Sequence, residues 1–137
     1  MKLNVLIAIH ALLSIAFGIA FALYGPLMMA FYAVPELSGV DAQIYWQIAA
    51  FARMFGAALF GFGFLLFALR GFVDEIEAQS RRGLVFALFL ANLMAFIVSI
   101  TQQSAVWSSL AGLVTTGIFA VLLIAYGYFL VKEYRTA

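Results

Sequence analysis

Four long apolar runs separated by short polar connections limit what this chain can fold into more than any other feature of its sequence. The runs cover residues 5–24, 44–69, 83–101 and 110–131. An α-helix rises about 1.5 Å per residue, so about 20 apolar residues cross the hydrocarbon core of a bilayer, which is roughly 30 Å thick. The pattern therefore predicts an all-α integral membrane protein whose four helices form a bundle in one transmembrane domain, residues 1–137.

The composition narrows the environment and the possible partners. Of the 137 residues, 67% are hydrophobic and 9% are charged, whereas a soluble domain has about 45–50% apolar and about 25% charged residues. The expected surroundings are therefore a lipid bilayer. A net charge of +1 provides no basic surface for nucleic acid. The chain has no cysteine and a single histidine, so we expect neither disulfides nor a closed metal site.

The first run and the segment after it are interpreted together. The tripeptide AFA at 20–22 has the small-residue pattern of a signal-peptide cleavage site. The run is longer than the roughly 7–15 residues of a signal peptide's apolar region, so we expect a retained first span. Proline lacks an amide donor and clashes with the preceding turn, which predicts that this span ends at Gly25-Pro26. The mixed segment 26–43 predicts a short helix at the membrane interface, followed by a turn.

The orientation follows from the distribution of cations. Lys and Arg are enriched in the cytoplasmic connections of membrane proteins. The connections 25–43 and 102–109 contain no cation. We therefore predict that both termini and the hinge 73–82 are cytoplasmic. The six cations that fall on this one side of the four-span arrangement are Lys2, Arg70, Arg81, Arg82, Lys132 and Arg135.

Arg53 is the cation that lies inside an apolar run, within the glycine-punctuated stretch 52–63. Small residues on its side of the helix predict that this side packs inward, with Arg53 buried near the outer end. In one interpretation the arginine is a structural pin that ties down the outer loop. In the other it forms a shallow site for an anionic or polar head group. The acceptors proposed for either role are Glu36, Asp41, Gln102 and Gln103.

Two further polar residues lie deep in the spans. His10 shares an i, i+4 stripe with Ser14, Gly18 and Ala22, a pattern typical of a helix-packing face. Asn92 lies at a similar depth in the third span, and we predict a direct or water-mediated hydrogen bond between His10 and Asn92. The alternative is that His10 is an axial ligand of a haem or a chlorophyll-type pigment.

The remaining side chains leave the cofactor open. The 15 phenylalanines either face lipid and fill the bundle or stack on a carotenoid, quinone or pigment ring. No cofactor is required by the sequence, although a lipid, a quinone or a pigment is compatible with it. Ser14, Ser99, Thr115 and Thr116 are expected to bond to carbonyls of their own helices.

Several stretches resemble a known group of proteins. They are LYGP at the end of the first span, RMFGAALFGFGFLLFALR in the second, the charged hinge and ANLMAFIVSITQQ in the third. Together they resemble the small four-helix bacterial inner-membrane proteins of unknown function in the broad DoxX-like group. The resemblance implies a four-helix bundle in the inner membrane, with no dependable activity and no catalytic residue. Its most specific part is an arginine followed by small residues, namely Arg53, Gly56, Ala57, Ala58, Gly61 and Gly63.

Three functions are compatible with these features. The first is a non-catalytic protein that acts through helix contacts, as an accessory subunit of a larger membrane complex or as a homo-oligomer. It rests on two small-residue stripes, which a four-helix bundle need not both use internally. The second is a protein that binds or transports a lipid-like or small solute through the polar site at Arg53. The third, by analogy to the DoxX-like group, is a quinone-binding protein associated with an oxidoreductase.

Overall fold

A computed structural model describes residues 2–35 and 42–135 of the chain. In these ranges the chain forms four α-helices and no strand: α1 Leu3–Phe31, α2 Ala42–Leu69, α3 Ala78–Gln102 and α4 Leu110–Arg135. All four are long and apolar enough to cross a membrane. The predicted all-α class with four membrane-spanning helices is thereby confirmed, and the chain is a multi-pass membrane protein. Glu36 and Asp41, which were proposed to pair with Arg53, lie outside the described residues.

The chain divides into two compact units, each built around one helical hairpin. The α1–α2 unit comprises Ile7–Arg70. The α3–α4 unit comprises Gly71–Ala137 together with Met1–Leu6, so the first turn of α1 belongs to it.

Helix α1 does not end at Gly25-Pro26, and the prediction that it ends there is wrong. The helix is kinked at Tyr24, whose φ of −115° and ψ of 35° are not helical, and it continues through Pro26 to Phe31. Proline removes one backbone hydrogen bond and bends a helix, but its fixed φ is compatible with a helix that continues beyond it. The apolar residues after the kink stabilise this continuation, because Met29 is buried against Tyr45 and Ala49.

Within the α1–α2 unit the two helices approach each other through glycines. A Cβ atom added to Gly18 would lie 2.7 Å from the Cα of Phe60, and one added to Gly63 would lie 2.8 Å from the amide nitrogen of Ile15. Only small residues allow membrane helices to pack with their backbones this close.

The closest approach joins the stripe of α1 that contains Gly18 and Ala22 to the small-residue side of α2 that contains Gly56, the second stripe of the sequence. A Cβ on Gly56 would overlap the backbone of Ala22 and lie 2.8 Å from the carbonyl oxygen of Gly18. The prediction that both stripes are helix-packing faces is confirmed. The two stripes face each other, so both are used inside this hairpin.

Within the α3–α4 unit the turn between the helices has its own local signals. Five residues of π-helix, Gln103–Trp107, extend α3, and Ser108 then adopts a left-handed conformation with φ 41°. The hydroxyl of Ser109 accepts the Gly112 amide at 3.1 Å, as an N-cap residue does at the start of a helix. The apolar residues of the hairpin core include Val85, Leu88, Leu122, Tyr126 and Phe129, all buried.

Candidate functional site

The stem of Arg53 lies against a glycine of the neighbouring helix. Its Cγ is 3.1 Å and its Nε is 3.5 Å from the point where a Cβ on Gly25 would be. Gly25 is buried and directly follows the kinked residue Tyr24. The kink and the missing side chain at Gly25 therefore provide the notch that holds the stem of Arg53.

The residue as a whole is exposed, so the prediction that Arg53 is buried is wrong. The reason is that a long cationic side chain packs its stem on an apolar surface and keeps its charged head accessible. Within residues 2–35 and 42–135, Arg53 has no hydrogen-bond or ion-pair partner. Its predicted pairing with Glu36 or Asp41 concerns residues outside this range and stays a prediction.

An apolar and aromatic cluster continues from the Arg53 notch along both helices. Phe21 of α1 contacts Phe55 of α2 edge-on, with ring centroids 5.7 Å apart. The Phe21 ring also lies 5.7 Å from that of Tyr32, beyond the kink. A single exposed cation beside such a surface can bind the anionic head of an amphiphile while the aromatic rings contact its apolar part.

The two glutamines proposed for the same site lie at the end of α3, in the α3–α4 unit. Gln103 donates from Nε2 to the Ser109 carbonyl at 3.2 Å and so helps to close the turn before α4. Its Oε1 is buried without a hydrogen-bond partner in the described part of the chain. Gln102 is half-buried beside it. A contact of either glutamine with Arg53 stays a prediction.

The two deep polar residues are both buried, as the cost of exposing polar groups to hydrocarbon predicts. His10 is 6% exposed, and its ring meets that of Phe62 edge-on with centroids 5.6 Å apart. Asn92 is 2% exposed and donates from Nδ2 to the Leu88 carbonyl at 2.8 Å. The Oδ1 of Asn92 has no partner among the described residues. Because His10 and Asn92 belong to different units, the hydrogen bond between them stays a prediction.

The hydroxyl groups of α3 and α4 follow the predicted pattern at two of three positions. Thr115 and Thr116 donate to the carbonyls of Ala111 and Gly112, each at 2.9 Å. Ser99 was predicted to bond within its own helix, but its oxygen lies 2.8 Å from the hydroxyl of Thr116. Since the single proton of Thr116 is donated to Gly112, Ser99 is the donor across the hairpin. Ser99 bonds across the hairpin because it is buried facing α4, where a hydroxyl acceptor lies within reach.

A second polar site, which was not predicted from the sequence, lies at the hinge end of the α3–α4 unit. Arg81 and Glu133 form a two-pronged ion pair there, with Nε 3.0 Å from Oε1 and Nη2 3.0 Å from Oε2. This geometry is the strong form of an arginine–carboxylate contact. The pair lines a cleft of about 520 Å³ whose other lining residues are Lys2, Leu3, Asp74, Phe129 and Lys132.

Neither site contains the side chains of a metal centre. Throughout the described part of the chain, no group of three His, Cys, Asp or Glu residues is close enough to hold a metal ion. Comparisons of the chain with protein-family models, with curated proteins and with solved structures give no match.

Proposed function

We propose that this chain is a non-catalytic protein of the bacterial inner membrane that acts through helix contacts with other membrane proteins. Its partner is a larger membrane complex or a second copy of the chain. Membership of the DoxX-like group is part of the same proposal and is based on the sequence resemblance alone.

One observation carries the proposal: α2 has a second pair of small residues that α1 does not use. Ala57 and Gly61 are one turn apart and both exposed, whereas Gly56 and Gly63 are buried against α1. A Cβ added to Gly61 would meet no atom within 4 Å among the described residues. Two small residues spaced by four form the pattern through which membrane helices pack closely. This face therefore fits another helix.

The test is a bulky substitution on this face. Gly61→Leu should leave the hairpin folded, since the site is open, but should keep a partner helix away. Gly117→Leu is the matched control, because Gly117 is exposed in the first half of α4 and its site is equally open within the described chain. We expect the wild type and Gly117→Leu to purify in mild detergent as the same larger assembly, and Gly61→Leu as a single chain.

Native mass spectrometry measures the mass of each species and identifies the proteins that co-purify with it. A wild-type chain that is monomeric and carries no other protein would contradict the proposal. An assembly that Gly61→Leu leaves intact would show that contact is made through another face.

A second function is supported by the Arg53 notch. Arg53 is exposed and has no hydrogen-bond or ion-pair partner in the described chain, and its stem lies against Gly25 next to an aromatic surface. An arginine presents five donors in a fork that matches a carboxylate or a phosphate. We therefore propose, as the alternative, that the α1–α2 unit binds or transports an anionic lipid-like molecule through Arg53.

A further inference from the structure

The cleft at the hinge end of the α3–α4 unit has a charge balance that none of the functions above uses. Three cations and two carboxylates line it, which leaves an excess of one positive charge. Arg81 and Glu133 are engaged with each other in the two-pronged ion pair. The ammonium groups of Lys2 and Lys132 and the carboxylate of Asp74 make up the rest of the charged lining.

The floor of the cleft is apolar. Leu3 and Phe129, which complete the lining, are 6% and 3% exposed. A small soluble anion has no apolar part that could contact these two side chains. An amphiphile can place its head group among the charges and its first carbons on the two apolar side chains.

The position of the cleft along the helices matches the level of lipid phosphates. Lys2 directly precedes α1, Lys132 lies in the last turn of α4, and Asp74 lies in the turn before α3. All three helices are long and apolar enough to cross a membrane. Their ends therefore lie where the hydrocarbon core gives way to the head groups.

Next to the cleft a further arginine has unused hydrogen-bonding capacity. Arg82 places its guanidinium carbon 5.8 Å from the centre of the Tyr134 ring. Its Nε is buried and has no partner within the described residues. Arg82 thus has one donor that no acceptor of the described residues uses.

We propose that this cleft binds the head group of an anionic phospholipid that carries one phosphodiester charge, as phosphatidylglycerol does. Lys2 and Lys132 contact the phosphate, and Leu3 and Phe129 contact the glycerol and the first acyl carbons. Asp74 limits the positive excess to a single charge, which matches a phosphodiester and disfavours polyphosphates. This inference does not depend on the helix contact of α2 or on the Arg53 notch.

The test measures lipid retention by the full-length chain. The protein is purified in mild detergent, mixed with equal amounts of phosphatidylglycerol and phosphatidylethanolamine, and washed, and the retained lipid is quantified by mass spectrometry. The cleft variant is Lys2→Gln/Lys132→Gln. The matched control is Arg70→Gln/Arg135→Gln, which removes the same charge from two exposed residues that do not line the cleft.

We expect the wild type and the control to retain about one phosphatidylglycerol per chain and little phosphatidylethanolamine. A direct contact with a charged group contributes about a factor of ten or more, so the cleft variant, which loses two such contacts, should bind phosphatidylglycerol at least about tenfold more weakly. Circular dichroism checks that both variants keep their helices, and Lys2→Gln alone provides a milder version of the cleft variant.

Three outcomes would overturn the inference. The first is an equal loss of lipid in the cleft variant and the control, which would indicate diffuse attraction. The second is equal retention of phosphatidylethanolamine. The third is that inorganic phosphate, added without lipid, raises the unfolding temperature as much as phosphatidylglycerol does, since the cleft would then be a site for free anions.

Discussion

At the scale of single residues, the position of Arg53 depends on the absence of a side chain at Gly25. The notch holds the stem of the arginine, while the residue as a whole stays exposed. A lysine at the same position has a similar stem and the same charge but lacks the planar fork of donors. A substitution of Arg53 by lysine therefore distinguishes a role in ligand binding from a role in stabilising the fold.

The first prediction uses Arg53→Lys, with Arg70→Lys as its control. Arg70 is exposed and stacks on Phe67, with its guanidinium carbon 3.7 Å from the ring centroid. If Arg53 binds an anionic amphiphile, Arg53→Lys should reduce the amount that co-purifies by severalfold and change thermal stability little. Arg70→Lys should change neither. A lower unfolding temperature in detergent with unchanged bound molecules would instead establish Arg53 as a structural pin.

Single residues also show which features can be predicted from the sequence and which cannot. The burial of His10, Ser14 and Asn92 follows from the cost of exposing polar groups to lipid, and it could be predicted. The hydrogen bond from Ser99 to Thr116 could not be predicted from each residue alone, because its acceptor lies on another helix. One signal for this contact was available. The two residues are equally far in sequence from the turn at Trp107 and Ser108, so they lie opposite each other in an antiparallel hairpin. Arg81 and Glu133 share this symmetry.

At the scale of helices, hydropathy predicted the number of spans and small residues predicted their packing faces. The four runs became four helices because lipid leaves a backbone little alternative to helical hydrogen bonding. The end of α1 was mispredicted because a proline rule was applied without the packing of Met29 beyond it. A proline bends a helix without necessarily ending it, and the packing of Met29 against Tyr45 and Ala49 favours the continuation, so the helix bends and continues.

The second prediction compares two glycines of α2 that differ in their neighbours. Gly56→Ala places a methyl group into the backbone of α1 at Gly18 and Ala22, so it should lower the free energy of unfolding by about 1–3 kcal/mol. Gly61→Ala meets no neighbour within 4 Å in the described chain and should leave that free energy unchanged or raise it by up to about 1 kcal/mol. Unfolding in detergent, followed by circular dichroism, measures both. Equal effects would mean that the close helix contact contributes nothing to stability.

At the scale of the whole molecule, the distribution of cations indicates which end faces the cytoplasm. Within the α3–α4 unit, three of the six cations that were predicted to lie on one side of the membrane line the same cleft. They are Lys2, Arg81 and Lys132. By the rule that cytoplasmic connections are rich in Lys and Arg, we propose that this end faces the cytoplasm and that both termini lie there.

The third prediction tests this orientation with single cysteines, which can be introduced cleanly because the chain has none. A cysteine at Ser80, in the exposed first turn of α3, should react with a membrane-impermeant reagent only from the cytoplasmic side. A cysteine at Ser38, in the connection between α1 and α2, should react only from the opposite side. Labelling of intact and inverted vesicles measures both sites. The reverse result at the two positions would invert the proposed topology.

The grouping of Met1–Leu6 with Gly71–Ala137 has a consequence for biosynthesis. A ribosome makes α1 before α4, yet the residues that surround Lys2 and Leu3 in the cleft include Phe129 and Lys132 of α4. The α1–α2 hairpin can close as soon as α2 has emerged, but the first turn of α1 must wait for α4. Synthesis of α4 is therefore the event that completes the cleft, and a nascent protein arrested before α4 has no cleft.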